Sequence, residues 1–396
     1  MKIQKICING VGGIKHLELN FNKEMNLICG TNGIGKTTIL ECISHLFISS
    51  STSQLKRNVN CDKGSVKAEL EIDGQNRSYN YEINDFKPEK DDYVSAVEIE
   101  KSKDIIVFNS IRSFGYIRLE SISRDPEREG YKTGNIAYSG VDAVDIKNWF
   151  IQRYMWSAHK DSLNKEQIYN LKCSKEAFSI LDEKVTFSKV KPDTFDILLN
   201  TRQGEVFFEY LSSGYKSCVY ILLGIIKEIE YRYKEPYIKI QDFNGIILID
   251  EIDVHLHPEW QARLVNALKE LLPNAQIIAT THSPSIIQTA KTNEIIALYF
   301  DENNDICIKD LEQKEFGYQG WTIEEILKDV MGMEETMSSL YEKTSKKFEK
   351  AINEEDIKTA KECYKILNKM LHPQNYLRKI LEIQMVGMGD ENDKNK

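Results

Sequence analysis

Residues 245–258 read Gly245-Ile-Ile-Leu-Ile-Asp250-Glu251-Ile-Asp253-Val-His255-Leu-His257-Pro258. Four consecutive apolar residues between a glycine and two acids are typical of a strand buried on both faces of a parallel sheet. Ligands of open α/β sheets bind at the carboxyl ends of the strands, where Asp250 and Glu251 lie. An aspartate there can hold hydrated Mg²⁺, and the glutamate beside it can polarise a water molecule. The alternative is a strand that ends in an ordinary polar turn, so the interpretation depends on a phosphate site elsewhere in the chain.

The stretch Gly30-Thr31-Asn32-Gly33-Ile34-Gly35-Lys36-Thr37-Thr38 satisfies the pattern G-x-x-x-x-G-K-[ST]. Its glycines allow backbone amides to wrap around phosphate oxygens, and the helix predicted after it adds the field of its N-terminus. Lys36 would reach the β- and γ-phosphates, and Thr37 would offer its hydroxyl to Mg²⁺. Because an apolar strand precedes the loop and a helix follows it, a chance match in a glycine-rich turn is the weaker interpretation.

Two further stretches place polar residues beside predicted elements. Leu211-Ser212-Ser213-Gly214-Tyr215-Lys216-Ser217 leads into an apolar helix predicted from Val219 to about Ile229. Small polar residues ahead of a helix favour anions, although a plain N-cap has the same composition. The predicted strand 276–280 ends in Thr281-His282-Ser283-Pro284, where a histidine can donate a hydrogen bond to a γ-phosphate or to an attacking water.

Composition sets the broad class. A chain of 396 residues with 41% apolar and 29% charged residues suits one large α/β domain with a lesser one. It has no apolar run long enough to span a membrane and no signal-peptide pattern. Eight cysteines without a C-x-x-C pair favour reduced thiols and a cytoplasmic location over disulfides or a zinc site. A net charge of −9 argues against indiscriminate polyanion binding but leaves a local basic groove open.

Pattern changes along the chain predict four segments. They are an N-terminal lobe with the phosphate loop (1–118), an inserted helical subdomain (119–183), a C-terminal lobe (184–312) and a helical C-terminal extension (313–396). The N-terminal lobe includes a hairpin that turns at Asp73-Gly74. The aromatic residues of the insert can stack on bases, but packing in a small core is the better interpretation. These residues are Trp149, Phe150, Tyr154 and Trp156.

The motifs together resemble the ATPase heads of the ABC superfamily, in the DNA-associated branch that includes SMC and RecF-like proteins. The resemblance is closer still to a group of stand-alone bacterial AAA-type ATPases, and it rests on the motifs GxNGxGKT, LSSGYKS, IDEIDVHLHP and TTHSP. That group includes Septu defence ATPases, retron-associated ATPases and OLD-like proteins. The resemblance implies an α/β, ABC-type P-loop NTPase head, with a mixed sheet and an antiparallel N-terminal subdomain. The region between the phosphate loop and LSSGYKS is too short and irregular for the long coiled coil of a true SMC protein.

The resemblance also implies roles for individual residues. Residues Gly30 to Thr37 would bind ATP, and Thr37 and Asp250 would hold Mg²⁺. Glu251 would be the general base and His282 the switch histidine. Asp253 would communicate between subunits, and Ser213 and Gly214 would meet the γ-phosphate of the opposite subunit. Neither site of such heads is complete in one chain. The implied assembly is therefore an ATP-sandwiched homodimer or a higher homo-oligomer.

Two features near the site leave alternatives open. ABC transporter cassettes place a glutamine after a middle strand, whereas Asn109 or Arg112 occupies that neighbourhood here. The spacing of His255 and His257 resembles that of a metal-binding pair, but no third ligand is nearby in sequence. The better interpretation is that the two histidines belong to a structural turn that the family has at this place.

The function implied by the resemblance is an ATP-gated defence ATPase that regulates a separately encoded nuclease, of the HNH type in Septu systems. The chain itself contains no nuclease motif. The alternative is a RecF-like DNA-repair ATPase that binds duplex DNA, which requires a basic groove. Candidate groove residues are Arg112, Lys147, Arg153 and Lys160. A transporter cassette fits poorly because the glutamine is missing.

Overall fold

The computed structural model describes residues 1–47, 55–87, 97, 99–110, 112, 116–127, 142–333 and 337–388. Its strands are Lys2–Val11 (β1), Ile14–Asn20 (β2), Met25–Cys29 (β3), Gly64–Ile72 (β4), Gln75–Ile83 (β5), Ile105–Phe108 (β6), Thr186–Val190 (β7), Ile197–Thr201 (β8), Gly204–Phe207 (β9), Ile246–Ile249 (β10), Gln276–Thr280 (β11), Ile295–Phe300 (β12) and Ile306–Ile308 (β13). Its α-helices are Lys36–His45 (α1), Ala143–Trp156 (α2), Lys165–Ala177 (α3), Ser213–Arg232 (α4), Pro258–Leu271 (α5), Pro284–Thr289 (α6), Ile323–Glu325 (α7), Ser339–Asn353 (α8), Ile357–Met370 (α9) and Leu377–Gly387 (α10).

The central sheet has the strand order β13-β12-β3-β11-β10-β6. Strands β12, β3, β11, β10 and β6 are parallel, and β13 pairs antiparallel with β12 at one edge. All four residues of β10 are buried. Ile246 and Leu248 face one hydrophobic cluster while Ile247 and Ile249 face the other. Burial on both faces explains the continuous apolar run and confirms the predicted strand.

An antiparallel sheet and α1 cover one face of the central sheet. The antiparallel sheet has the order β2-β1-β4-β5, and its inward residues share a cluster with the apolar residues of α1. Strands β4 and β5 form the hairpin predicted at Asp73-Gly74, with Ile72 opposite Gln75. The expected α/β class, with a mixed sheet and an antiparallel N-terminal part, is confirmed.

Helices α2 to α6 contribute to the cluster on the other face. Trp149 and Phe150 of α2 are fully buried there, so the packing interpretation of these two aromatics is confirmed. Trp156, at the end of α2, is about half exposed (49%). A small antiparallel sheet, β7-β8-β9, lies in the chain between α3 and α4.

Helix α4 differs from its prediction, because it begins at Ser213 rather than Val219 and continues to Arg232. The side chain of Ser212 accepts a hydrogen bond from the Tyr215 amide and so caps the helix earlier than the apolar pattern indicates. Ser213 and Gly214 therefore lie within the first helical turn.

The chain divides into two compact units, Met1–Gly332 and Met333–Lys396. In the second unit, α8 and α9 bury a small cluster that includes Phe348, Ala360 and Leu367. Helix α9 ends at Met370, three residues before Pro373. The four-segment division with boundaries at 118, 183 and 312 stays a prediction.

All eight cysteines are free thiols, as the sequence predicts. Within the described ranges, none of the helices is both long and apolar enough to cross a membrane.

Candidate nucleotide site

Four polar segments meet at one edge of the central sheet. The phosphate loop follows β3, Thr281 and His282 follow β11, Asp250 and Glu251 follow β10, and Arg112 lies four residues beyond β6. Because these four strands are parallel neighbours in that order, their carboxyl ends meet at the same edge. The sheet therefore brings together residues that are up to about 250 positions apart in the sequence.

The phosphate loop connects β3 to α1 in the expected strand–loop–helix arrangement. Gly30 and Gly35 have φ of 147° and 90°, which side chains with a Cβ rarely adopt. A Cβ on Gly30 would also come within 2.6 Å of the Leu298 carbonyl oxygen. Gly35 caps α1 without a side-chain hydrogen bond, which leaves the first-turn amides to phosphate oxygens. Ile34 is buried and anchors the loop, whereas Asn32 and Gly33 are exposed.

The side chain of Lys36 follows the inside of this loop. Its Nζ donates to the carbonyl oxygens of Gly30 (3.0 Å) and Thr31 (2.9 Å). Burial lowers the pKa of Lys36, and nearby thiol and carboxyl groups oppose the shift. A cation held in this way by the loop that would wrap the phosphates is well placed for the β- and γ-phosphates.

Thr37 and Asp250 meet directly. The Thr37 hydroxyl lies 3.1 Å from each carboxylate oxygen of Asp250, and Thr280 donates its own hydroxyl to Asp250 Oδ1 at 2.7 Å. A hydroxyl beside a carboxylate is the oxygen donor set that Mg²⁺ uses when phosphates and waters complete its coordination. The two residues predicted to hold Mg²⁺ therefore fit that ion. Across the described residues there is no cluster of three His, Cys, Asp or Glu side chains that would form an all-protein metal site.

The backbone of Glu251 adopts an unusual conformation. Its φ is 48°, in the left-handed region that residues other than glycine seldom occupy. The amide of Glu251 donates to the Thr280 hydroxyl at 2.7 Å, and its carbonyl oxygen accepts from Arg112 at 2.9 Å. The Glu251 side chain is partly exposed. Strain of this kind persists where surrounding contacts over-determine it, and it is common at functional sites.

Asp253 holds the segment that carries the histidine. Its Oδ1 accepts from the Thr281 hydroxyl (2.6 Å) and from the His282 amide (3.1 Å). Partial burial, followed by the positive charge of Lys36, lowers the pKa of His282. The imidazole is therefore biased towards its neutral form, in which one ring nitrogen donates and the other accepts.

The first turn of α4 lies against the turn after β10. Ser213 is exposed and Gly214 is buried. A Cβ on Gly214 would come within 2.2 Å of the His255 carbonyl oxygen. His255 itself has φ of 64°, and the ring of His257 accepts from the Glu259 amide as the N-cap of α5. The two histidines therefore shape a turn, in agreement with the structural interpretation of the pair.

Three residues near the site were missed or left open by sequence reasoning. Arg112, one of two candidates for the glutamine position, is buried and contacts the backbone of Asp250 and Glu251. Burial lowers its pKa to about 10. Thr280 is the first residue of the TTHSP motif, but the motif alone does not reveal its contacts with Asp250 and Glu251. Glu41 lies one turn beyond Thr37, and burial together with the charge of Asp250 raises its pKa to about 7.

Most of the residues suggested for a basic groove are not exposed for binding to nucleic acid. Arg112 is buried, Lys147 pairs with Asp196 and Glu209, and Arg153 pairs with Glu230 and Asp125. Of the four suggested groove residues, Lys160 alone is exposed. Three of the four residues therefore do not supply the basic groove that the DNA-repair alternative requires, because carboxylates and backbone carbonyls occupy their charges.

Comparison with known proteins shows which family the chain belongs to. The family described as "AAA domain, putative AbiEii toxin, Type IV TA system" matches residues 25–288. The chain is 47% identical over 394 residues to the Septu protein PtuA of Bacillus thuringiensis, with 98% of each chain covered. It is 24% identical to the Retron Vc95 probable ATPase of Vibrio cholerae, covering 69% of this chain and 68% of that protein. Among solved structures, the SMC head domain of Thermotoga maritima matches with a TM-score of 0.46 at 18% identity, covering 79% of this chain and 100% of that one. The chain belongs to this AAA-domain family and, within it, to the PtuA proteins of the Septu type.

Proposed function

We propose that the chain is a Mg²⁺-dependent ATP hydrolase that works as an ATP-sandwiched dimer in anti-phage defence. The observation that carries the enzymatic part is the contact between the Thr37 hydroxyl and both carboxylate oxygens of Asp250. It joins the phosphate loop to the acid-bearing strand at one point. Bound Mg²⁺ would neutralise phosphate charge beside these two residues.

In the proposed reaction, Glu251 accepts a proton from the water that attacks the γ-phosphate. The side chain is partly exposed at the strand end, and its backbone is held on both sides by Thr280 and Arg112. Neutral His282 donates a hydrogen bond towards the γ-phosphate or the water, while Lys36 stabilises the charge on the phosphate oxygens. Asp253 fixes the histidine segment through the His282 amide.

The proposed dimer uses the exposed start of α4. Ser213 is exposed in its first turn, and two small residues there allow close approach of a phosphate to the backbone amides. The γ-phosphate bound by one subunit would be met by the partner subunit's Ser213. This arrangement supports a role for ATP in joining subunits, because two helix N-termini favour the nucleotide charge at the interface.

The defence role rests on family membership. One relative is named a Septu protein and another a retron ATPase, and we propose that this chain likewise acts in the cytoplasm and regulates a separately encoded nuclease, of the HNH type. A duplex-DNA repair ATPase is the alternative. It loses support because Arg112, Lys147 and Arg153 are buried in polar networks rather than exposed along a groove.

ATP hydrolysis and subunit association in two variants test the enzymatic proposal. Lys36→Ala should lose nucleotide binding, whereas Glu251→Gln should bind ATP, lose turnover and accumulate as a dimer in light scattering. Matched controls are Lys350→Ala and Glu259→Gln, which change exposed side chains. Undiminished turnover in Glu251→Gln would contradict the assigned base, and ATP-independent association would contradict the sandwich.

Phage plating tests the defence proposal. Protection should require this gene together with its neighbouring nuclease gene, and Lys36→Ala should abolish it. Protection by this chain alone would refute the division of labour. Tight, salt-sensitive binding of duplex DNA would instead favour the repair alternative.

A further inference from the structure

The guanidinium of Arg112 joins three elements of the first compact unit. Its Nε donates to the Asn109 carbonyl oxygen after β6 at 3.1 Å. One terminal nitrogen donates to the Ser217 hydroxyl on α4 at 3.3 Å. The other donates to the backbone carbonyl oxygens of both Asp250 and Glu251 after β10. A planar group with five N–H donors can satisfy these acceptors together, which an ammonium cannot do with the same geometry.

Arg112 therefore completes the restraint on Glu251. The Thr280 hydroxyl holds the amide of this residue, and Arg112 holds its carbonyl oxygen. Two fixed ends leave little freedom to a backbone with φ of 48°. Without Arg112, the residue would relax towards ordinary dihedral angles, and its carboxylate would change direction.

The third contact reaches the helix that begins with Ser213. Ser217 lies four residues, about one helical turn, after Ser213, on the same side of α4. A displacement of the start of α4 would thus act on the Arg112 guanidinium and, through it, on the peptide groups that carry the acids. Burial of Arg112 strengthens these contacts, because a charged donor in a low-dielectric site makes stronger hydrogen bonds than one in water.

We propose that Arg112 is a positioning residue for ATP hydrolysis, which sets the direction of the Glu251 carboxylate and links it to the start of α4. The inference rests on the proposed hydrolytic function. Arg112 touches neither nucleotide nor water in this role and acts only through the backbone of Asp250 and Glu251.

Steady-state ATP hydrolysis by Arg112→Ala tests the inference. We expect kcat to fall by about 10- to 100-fold, as is common when a residue that orients a ligating or catalytic carboxylate is removed. KM for ATP should stay within about threefold of its original value, because the phosphate loop is untouched. Methylguanidinium should restore part of kcat, and potassium chloride at the same ionic strength should not. A merely structural role would show no such rescue.

Two further variants, Arg112→Lys and Ser217→Ala, test the individual contacts of Arg112 separately. Lysine keeps a charge but cannot span β10 and α4 together, so kcat should be intermediate between those of the original chain and the alanine variant. Ser217→Ala removes only the contact to α4 and should lower kcat less than Arg112→Ala does. Arg202→Ala, at an exposed arginine, is the matched control and should hydrolyse ATP normally.

These experiments distinguish a failure of this inference from a failure of the proposed ATP hydrolysis. If the original chain does not hydrolyse ATP, the proposed function fails. If it does, and folded Arg112→Ala or Arg112→Lys matches it in kcat, the inference alone is overturned. Loss of kcat without rescue, in proportion to a loss of thermal stability across both variants, would also overturn it.

Discussion

Gly214 packs directly on the backbone of His255, so that an added Cβ would lie only 2.2 Å from the His255 carbonyl oxygen. The glycine is thus required within its own subunit, apart from any contact it makes with a nucleotide. Its lack of a side chain sets the distance between the start of α4 and the turn after β10. The position of Ser213 depends on that distance.

Gly214→Ala should therefore displace the start of α4 and lower both stability and ATP turnover. Overpacking of this kind costs about 1–3 kcal/mol in the free energy of unfolding. Chemical denaturation and a hydrolysis assay measure the two effects. Gly320→Ala is the matched control, because a Cβ there has no neighbour within 4 Å. Equal stability of the two variants would contradict the close contact.

Thr280→Val should impair catalysis through Asp250 and Glu251. The Thr280 hydroxyl donates to Asp250 Oδ1 and accepts from the Glu251 amide, and valine has a similar shape but neither capacity. We expect kcat to fall by about 10- to 100-fold, with nucleotide binding largely retained. Thr280→Ser should recover much of the activity, and Thr289→Val, at an exposed threonine of α6, should have no effect. Full activity in Thr280→Val would show that these hydrogen bonds are dispensable.

Arg153→Ala should destabilise the packing of α2 against α4. Arg153 donates to Glu230 on α4 at 2.6 Å, and Glu230 is almost completely buried. Removing one partner of a buried pair leaves an uncompensated charge and costs about 3–5 kcal/mol. Burial already raises the pKa of Glu230 while Arg153 opposes that shift, so proton uptake by Glu230 should accompany the substitution.

The measurement for Arg153→Ala is the free energy of unfolding by urea. The control is Lys189→Ala, which breaks the exposed pair with Glu205 and should cost no more than about 1 kcal/mol. A cost for Arg153→Ala as small as that of the control would contradict the assignment of a buried ionic contact.

His45 should make the stability of the chain depend on pH. Burial lowers its pKa from 6.5 to about 4. Between these values the unfolded chain binds a proton that the folded chain does not, so stability falls as the pH drops from 6.5 towards 4. Each pKa unit corresponds to about 1.4 kcal/mol. The free energy of unfolding, measured with urea at several pH values in this range, should therefore depend less steeply on pH in His45→Gln than in the original chain. An identical pH dependence would rule out this contribution.

Much of the site could be predicted from the sequence because its residues lie in contiguous motifs. Lys36, Thr37 and Asp250 are at the places that the phosphate loop and the acid-bearing strand imply. Arg112 and Thr280 were harder to assign, since their role depends on β6, β10 and β11 being neighbours. Strand order is a long-range property that local periodicity does not contain. The start of α4 was misplaced for a different reason, because a side-chain cap at Ser212 overrides the apolar pattern.

The order of strands in the central sheet also has a consequence for synthesis of the chain. Strand β3 lies between β11 and β12, which are made more than 240 residues later, and β10 brings Asp250 to Thr37. A ribosome-bound fragment that ends after α1 possesses the phosphate loop but neither Asp250 nor His282. The complete nucleotide site is therefore assembled late in translation, when the last parallel strands join the sheet.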